Sequence, residues 1–261
     1  MRLKGSVVAI TGAGGGIGRV IALAFAAEGA ACALADVDDG VRTVAADARS
    51  VSGVNAIAVR ADVTRSADMS ALVEQTLRDL GRLDILVTCA GLGTPGLLAD
   101  QDEAAWTRVV DVNLIGTYRA IRAALPAMMA HRSGRIITIS SVLGRMGGYG
   151  FVTAYAASKH GVIGLTRSLA AELGSQGYPS ITVNAICPGY VRAGMGIQMQ
   201  STKAGPMPGE EIFERYYKRQ VPQRRMIEPE EIANAAVFLA LPGSAGITGQ
   251  ALNVDGGFMM S

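Results

Sequence analysis

Short apolar runs recur along the chain, most of them closing on a glycine, an acid or a serine: Ser6–Thr11, Ala31–Ala35, Asn55–Arg60, Asp84–Thr88, Arg135–Ser140, Ile181–Ile186 and Gln250–Val254. The first, SVVAIT, is a β-branched run that stops at glycines, as a buried parallel strand does. Between the runs lie stretches of helical character: Arg19–Glu28, Ser66–Leu80, Glu103–Ala130, a segment opening near Ala154 and running to Leu173, and Pro229–Ala240. This alternation predicts an α/β fold, a doubly wound parallel seven-stranded sheet with helices on both faces. No repeat, low-complexity tract or linker divides the chain, so residues 1–261 are expected to form one domain. The Met-, Pro- and Gly-bearing stretch Gln198–Gly209 falls inside an insertion at about 192–226 that reads as a lid.

The turn after the first strand is Gly12-Ala13-Gly14-Gly15-Gly16-Ile17-Gly18. Strand, glycine turn and helix together suit a pyrophosphate. Glycines let the backbone approach, and the helix start offers free N–H groups and a positive dipole end. A nucleotide-triphosphate loop would need Gly-Lys-Ser/Thr, whereas Gly18 is followed by Arg19-Val20. Asp36 ends the second strand, where a carboxylate accepts from ribose hydroxyls and repels a 2′-phosphate. No Arg or Lys stands next to it in sequence, and Asp38 and Asp39 add negative charge, which favours NAD(H) over NADP(H). The alternative is that Asp36 caps the next helix. Asp62, followed by Val63, could reach an adenine amino group or cap the helix at Ser66–Leu80.

Tyr155 and Lys159 stand one helical turn apart on one face. A nearby ammonium favours phenolate, so the pair is expected to lower the Tyr155 pKa and supply a proton donor/acceptor beside a hydride carrier. Ser141 lies just past the fifth strand, where groups that act in open parallel sheets collect. Asn113 interrupts the pattern 103–130 with a mediocre helix former, which implies a local distortion or a bridge to water. His160 follows Lys159 but points about 100° away around the helix, and reads as structural. A hydrolase built on Ser141 and His160 would need a Gly-x-Ser-x-Gly elbow that the sequence lacks.

Composition narrows this further. Hydrophobic residues make up 49% and charged residues 18%, enough for a large core, and the net charge of +2 argues against nucleic acid as a partner. The basic stretch 215–225 reads as a solvated helix face. Cys32, Cys89 and Cys187 are odd in number and far apart, which fits reduced thiols in a cytoplasmic protein; no Cys/His spacing suits a metal. The apolar run at the start is too short for a signal peptide, and no run is long enough for a membrane span.

Read together, Thr11-Gly12-x-x-x-Gly16-x-Gly18, Asp36, Asp62, Ala90-Gly91, Asn113, Ser141, Tyr155-x-x-x-Lys159, Pro188-Gly189 and Val254-Asp255-Gly256-Gly257 resemble the short-chain dehydrogenases/reductases over essentially the whole chain. Ala157–Thr166 and Ile181–Gly189 look like 3-hydroxybutyrate dehydrogenases and aromatic polyketide ketoreductases. The resemblance implies a Rossmann-type fold, a homotetramer and a secondary alcohol or ketone as the small-molecule substrate. It makes Tyr155 the general acid/base, Lys159 its partner and the holder of the nicotinamide ribose, Ser141 the stabiliser of the substrate oxygen, and Asn113 the anchor of a relay water. Gly12, Gly14, Gly15, Gly16, Ile17, Gly18, Asp36, Asp62, Val63, Ala90, Gly91, Tyr155, Lys159, Pro188, Gly189 and Val191 would meet the NAD. Two positions depart from the family: Cys89 stands where Asn is usual, and Ala193 where a Thr would touch the nicotinamide amide.

Leu92, Met146, Tyr149, Phe151, Tyr190, Met195, Met199 and Met207 are expected around an apolar pocket. Arg145 or Arg192 could pair with a carboxylate or thioester carrier, leaving hydroxyacid, hydroxyacyl thioester and apolar cyclic alcohol as open substrate classes. The competing function is an NAD-binding regulatory protein without turnover.

Overall fold

A computed structural model describes residues 1–147, 150–202 and 205–260, with the side chains of 199–202 and 205–206 outside the description. Seven parallel strands form one sheet: β1 (Val7–Thr11), β2 (Ala31–Asp36), β3 (Ala56–Arg60), β4 (Ile85–Thr88), β5 (Gly134–Ile139), β6 (Ile181–Pro188) and a final strand, β9 (Ala251–Val254). Their order is β3-β2-β1-β4-β5-β6-β9, so the chain reverses direction across the sheet between β3 and β4. That reversal opens a crevice at the carboxyl ends of β1 and β4, the usual ligand position in such sheets.

Helices cover both faces. On one side α1 (Gly16–Ala27), α2 (Gly40–Ser52) and α8 (Pro229–Ala240) bury Ile21, Phe25, Val41 and Ile232 against Val8, Ile10 and Ile137. On the other, α3 (Ser66–Leu80), α5 (Gly116–Ala130) and α6 (Thr153–Ser175) bury Met69, Leu72, Ile121, Met128 and Leu169 against Ala9, Leu86 and Val183. Each such large side chain withdrawn from water contributes about 1.5–3 kcal/mol. All eight residues of β6 are buried, which explains why its sequence is an apolar run rather than an alternation.

The predicted helix over 103–130 is broken. α4 (Glu103–Val110) passes into a single π turn, Asp111–Ile115, before α5 begins. Asn113 is therefore a local distortion, one of the two alternatives its sequence position left open. Between β6 and α8 stand a short antiparallel hairpin, β7 (Met199–Thr202) with β8 (Gly205–Pro208), the four-residue α7 (Gly209–Ile212) and a π turn over Phe213–Tyr217. Phe213, Val221 and Met226 form a small core of their own, packed by Tyr190, Tyr217 and Phe258. Among the described residues no helix is long and apolar enough to cross a membrane.

Candidate active site

The glycine turn is shaped by atoms it does not have. Gly12 has a φ of +71°, and a Cβ there would lie 2.5 Å from the Ala90 backbone nitrogen. Only glycine tolerates both. A Cβ on Gly18 would run into the Gly12 carbonyl, so this glycine lets α1 start hard against the strand end. Gly16 has a φ of +52°. Gly15 is extended at the start of α1, no side chain caps the helix and no acid occupies its first turn. The first-turn N–H groups of Gly16, Ile17 and Gly18 thus have no side-chain acceptor, a cradle that fits a dinucleotide pyrophosphate.

Asp36 closes the far side of this turn. Its Oδ2 accepts from Gly14 N at 2.8 Å, and its Oδ1 accepts from Asp38 N at 3.0 Å. It does not cap the next helix; Asp38 does the nearer work, accepting from Gly40 N at 2.7 Å. One cation escaped the linear reading. Arg60 pairs with Asp36 across β3 and β2, and its Nε reaches the Val37 carbonyl at 3.4 Å. Asp62 does not cap α3 either: it folds onto Thr64, taking bonds from its N–H at 2.9 Å and its hydroxyl at 2.7 Å. Val63 packs on the π turn's exit, where a Cβ on Gly116 would come within 2.7 Å of it.

At the other end of the crevice, β4, the π turn and α6 converge on Ala90-Gly91. A Cβ on Gly91 would lie 3.4 Å from Asn113 Oδ1 and 3.6 Å from Lys159 Nζ, and one on Gly93 would lie 3.5 Å from the Tyr155 ring. Asn113, fully buried, donates from Nδ2 to the Leu92 carbonyl at 2.9 Å and to Ser158 Oγ at 3.0 Å, and accepts from Leu92 N at 2.9 Å. Both amide hydrogens are in use, so an ordered water here would be held by an oxygen of Asn113. Ser141, beyond β5, stands close enough to the Tyr155 phenol to pull its pKa down, and accepts from Leu143 N at 3.1 Å. Lys159 Nζ donates to the Ile139 carbonyl at 2.8 Å and sits 5.6 Å from the Tyr155 ring centre. Tyr155, Lys159, Ser141 and Asn113 are thus one cluster beside the crevice.

The expected lowering of the Tyr155 pKa by Lys159 does not hold for the protein groups alone. Burial pushes the phenol up to about 12, against a smaller downward pull from Ser141. Burial pushes Lys159 down to about 8. An amine that titrates there is already neutral when a phenol at 12 ionises, so it lends that ionisation no charge. Cys89 follows β4 as a partly buried thiol pushed up to about 12 by desolvation, and is neutral near pH 7.

The remaining positions divide. Gly189 N donates to the Val254 carbonyl at 3.0 Å, and a Cβ on it would meet the Asp255 backbone at 2.8 Å, so Pro188-Gly189 is fixed against β9. Val191 is buried and bridges to Ile227. The turn holding Ala193 and Gly194 lies on the glycine turn: a Cβ on Gly16 would be 3.5 Å from Gly194 Cα. Met195 faces the site, its Sδ 3.6 Å from a Cβ on Gly93. Tyr190 instead stacks on Tyr217 and Phe213, with ring centres 4.9 and 5.7 Å apart. Met207 is buried, and Phe151 takes a φ of +74° just before α6 while its carbonyl accepts from Gly96 N. Tyr149 and the Met199 side chain lie outside the described residues. Arg145 reaches away to β9, donating to the Ala251 carbonyl and Asn253 Oδ1 at 3.0 Å each. Arg192 is exposed and pairs with Glu210 and Glu228. His160 is exposed and its ring lies on the Ala156 carbonyl. Ser140 and Ser158, which hold the backbone of α6, were not singled out by the sequence; each is the direct neighbour of a residue that was.

A crevice at the strand reversal, a glycine turn and the Ser-Tyr-Lys-Asn cluster define a dinucleotide-dependent oxidoreductase architecture, and the chain belongs to the short-chain dehydrogenase/reductase family. A family model described as enoyl-(acyl carrier protein) reductase matches residues 12–259. Among individual proteins, the chain is 40% identical to 2-(S)-hydroxypropyl-CoM dehydrogenase 3 of Xanthobacter autotrophicus, over 98% of this chain and 97% of that one. It is 37% identical to the 3-oxoacyl-[acyl-carrier-protein] reductase of Escherichia coli, over the full length of both. Carveol dehydrogenase from Mycobacterium avium, solved with NAD, superposes with a TM-score of 0.92 at 30% identity, covering 100% of this chain and 99% of that one. An actinorhodin polyketide ketoreductase variant solved with NADPH gives 0.90 at 36% identity and 98% coverage of both.

Proposed function

We propose that the protein interconverts a secondary alcohol and a ketone with NAD(H), with Tyr155 exchanging the proton. The observation that carries this is the convergence of Ser141, Tyr155, Lys159 and Asn113 beside Gly91, one strand away from the glycine turn. When bound, the dinucleotide supplies or accepts the hydride. Gly12 to Gly18 hold its pyrophosphate and Asp36 its adenosine ribose; Ala90, Gly91, Pro188, Gly189 and Val191 flank its remainder. Ser141 and Tyr155 donate to the substrate oxygen, which positions the carbonyl and meets the charge that develops on it. At neutral pH burial keeps the phenol in its acid form, the form that carbonyl reduction consumes. Alcohol oxidation needs the phenol ionised, so an added positive charge in the crevice, such as an oxidised nicotinamide, favours that direction. Lys159 holds the ribose, and Asn113 anchors the relay of protons towards solvent.

NAD is preferred to NADP because the carboxylate of Asp36, at the end of β2, would repel a 2′-phosphate. Arg60, opposite Asp36 in the strand register, is an opposing charge, and its Nε donates to the Val37 carbonyl. The favoured substrate is neutral and apolar near the reacting carbon: Arg145 is bonded to β9, Arg192 to acids, and Met195 Sδ and the Tyr155 ring both approach Gly93. Residues 192–226 act as a lid over it. The exposed faces of α5, with Ile115 before it and Tyr118 on it, and of α6, with Ala157 and Gly164, suit a homotetramer. Three unbridged cysteines fit the cytoplasm. In 215–225, Arg215, Lys218 and Arg225 are paired with Glu211, Glu214 and Glu231, which leaves little for nucleic acid.

Purified protein incubated with NAD or NADP and a panel of neutral secondary alcohols, hydroxyacids and hydroxyacyl thioesters tests this by absorbance at the nicotinamide band. Turnover with NAD on neutral alcohols is expected. Tight NAD binding without turnover on any of them would favour a regulatory role.

A further inference from the structure

Tyr155 and Lys159 share one helix, and each must be held against groups from other elements. Beside Tyr155 and Lys159 the buried face of α6 is made of small residues, Ala154, Ala156 and Ser158, while the large buried side chains Val162, Ile163 and Leu169 lie further along. Gly161 meets Leu114 so closely that a Cβ would come within 2.6 Å of it, and Gly144 of the preceding loop lies on the Lys159 carbonyl. Small residues allow close approach but do not fix register, because a smooth surface has no knobs to resist sliding. Thr166 does so two turns on, through Thr138, and at this end of the helix two buried hydroxyls do. Ser140, 2% exposed and adjacent to Ser141, donates to the Lys159 carbonyl at 2.9 Å. Ser158, 1% exposed and adjacent to Lys159, donates to the Tyr155 carbonyl at 2.7 Å and accepts from Asn113 Nδ2 at 3.0 Å. Asn113 is itself locked to both backbone groups of Leu92.

We infer that Ser158 is a positioning residue: it links the π turn at Asn113 to the backbone of Tyr155 and thereby sets where the phenol stands over Ser141. This deepens the proposed function and rests on it. The hydroxyl touches neither cofactor nor substrate. It passes the fixed position of the π turn, through one donated and one accepted bond, to the turn of helix that carries the proton-exchanging group. A serine suits the task because it can accept from an amide and donate to a carbonyl at once. An alanine would cut the link and leave an Asn113 hydrogen without an acceptor.

The test compares Ser158→Ala and Ser158→Thr with the unmodified protein, with Tyr155→Phe alongside. Misplacement of a reacting group by an ångström costs on the order of a hundredfold in rate, and loss of one tether is expected to lower kcat by about tenfold or more. In Ser158→Ala the NAD affinity and the substrate KM stay within about twofold, while the pH profile of kcat/KM shifts, because the phenol moves relative to Ser141, which pulls its pKa down. Ser158→Thr keeps the hydroxyl and recovers most of kcat and the original profile. Should Ser158→Ala not fold, Ser158→Cys replaces it: the thiol has similar size but bonds weakly, and the same loss is expected. A wild-type kcat and pH profile in the variant lacking the hydroxyl, or equal losses in it and in Ser158→Thr, would overturn the role. Full turnover in Tyr155→Phe would instead overturn the proposed function, so the two failures are told apart.

Discussion

The two ends of the crevice are built by opposite means. At the exit of β1 the working surface is backbone: Gly12, Gly16 and Gly18 contribute N–H groups and empty space, and the side chain that matters, Asp36, is spent partly on holding the turn itself. At the exits of β4 and β5 the working surface is side chain. Asn113, Ser141 and Lys159 are at most 6% exposed, and their polar atoms are held by named partners. The first region is sensitive above all to added volume, with Asp36 its one charged side chain. The second is sensitive to chemistry, and burial has changed the acidity of its groups.

The sharpest way to break that contrast is to add atoms to the first region. Gly12→Val combines a positive φ with a Cβ 2.5 Å from Ala90 N, and is expected to cost about 3 kcal/mol or more and abolish NAD binding. Chemical denaturation and cofactor fluorescence check both; a folded variant with native affinity would show that the turn is not space-limited. A change of charge at the same end should act on selectivity. Asp36→Asn is expected to reduce the ratio of kcat/KM for NAD over NADP by about tenfold to a hundredfold, since a like charge is no longer set against the 2′-phosphate. Steady-state kinetics with both cofactors measure it, and an unchanged ratio would remove Asp36 from the recognition of the ribose.

In the second region, removing a buried charge should cost activity and spare stability. Lys159 is depressed from its usual 10.5 to about 8, so keeping the ammonium buried costs about 3 kcal/mol at pH 7. Lys159→Met removes that cost and orphans the Ile139 carbonyl, worth about 1–2 kcal/mol. Turnover should fall while the unfolding free energy at pH 7 holds or rises slightly. The sign follows from the lowered value: between pH 8 and 10.5 the unfolded chain binds the extra proton, so the unmodified protein gains stability with rising pH and closes on the variant. Melting curves at pH 7 and pH 9.5 read the difference, and a variant strongly destabilised at pH 7 would contradict it. The smallest effect is expected outside both regions. Arg192→Ala loosens exposed pairs with Glu210 and Glu228 and should leave kcat and KM within about twofold for neutral substrates. A large rise in KM would return Arg192 to the pocket.

Much of the fold could be read from the chain because its signals are local. Continuous apolar runs mark strands buried on both faces, and the glycines of 12–18 announce a turn that side chains would fill. The cluster was legible because Tyr155 and Lys159 share a helix face and Ser141 ends a strand. What escaped depends on distance in sequence or on burial. Arg145 finds its partners 106 and 108 residues away, which no local pattern records. The phenol's acidity follows from desolvation by the whole fold, which outweighs a neighbour four residues on. Asn113 announced a distortion, but its bond to Ser158 spans 45 residues, so a serine in an ordinary helical stretch gave no sign of its task.

The most direct measurement follows the hydride and the proton separately. A neutral secondary alcohol deuterated at its carbinol carbon is mixed with NAD and either the unmodified protein or Tyr155→Phe. The account predicts deuterium on the reduced nicotinamide with the unmodified protein. With Tyr155→Phe it predicts native NAD affinity and a rate about a thousandfold lower, the share of barrier that a positioned acid/base removes. Comparable rates of deuterium transfer in the two proteins would contradict it.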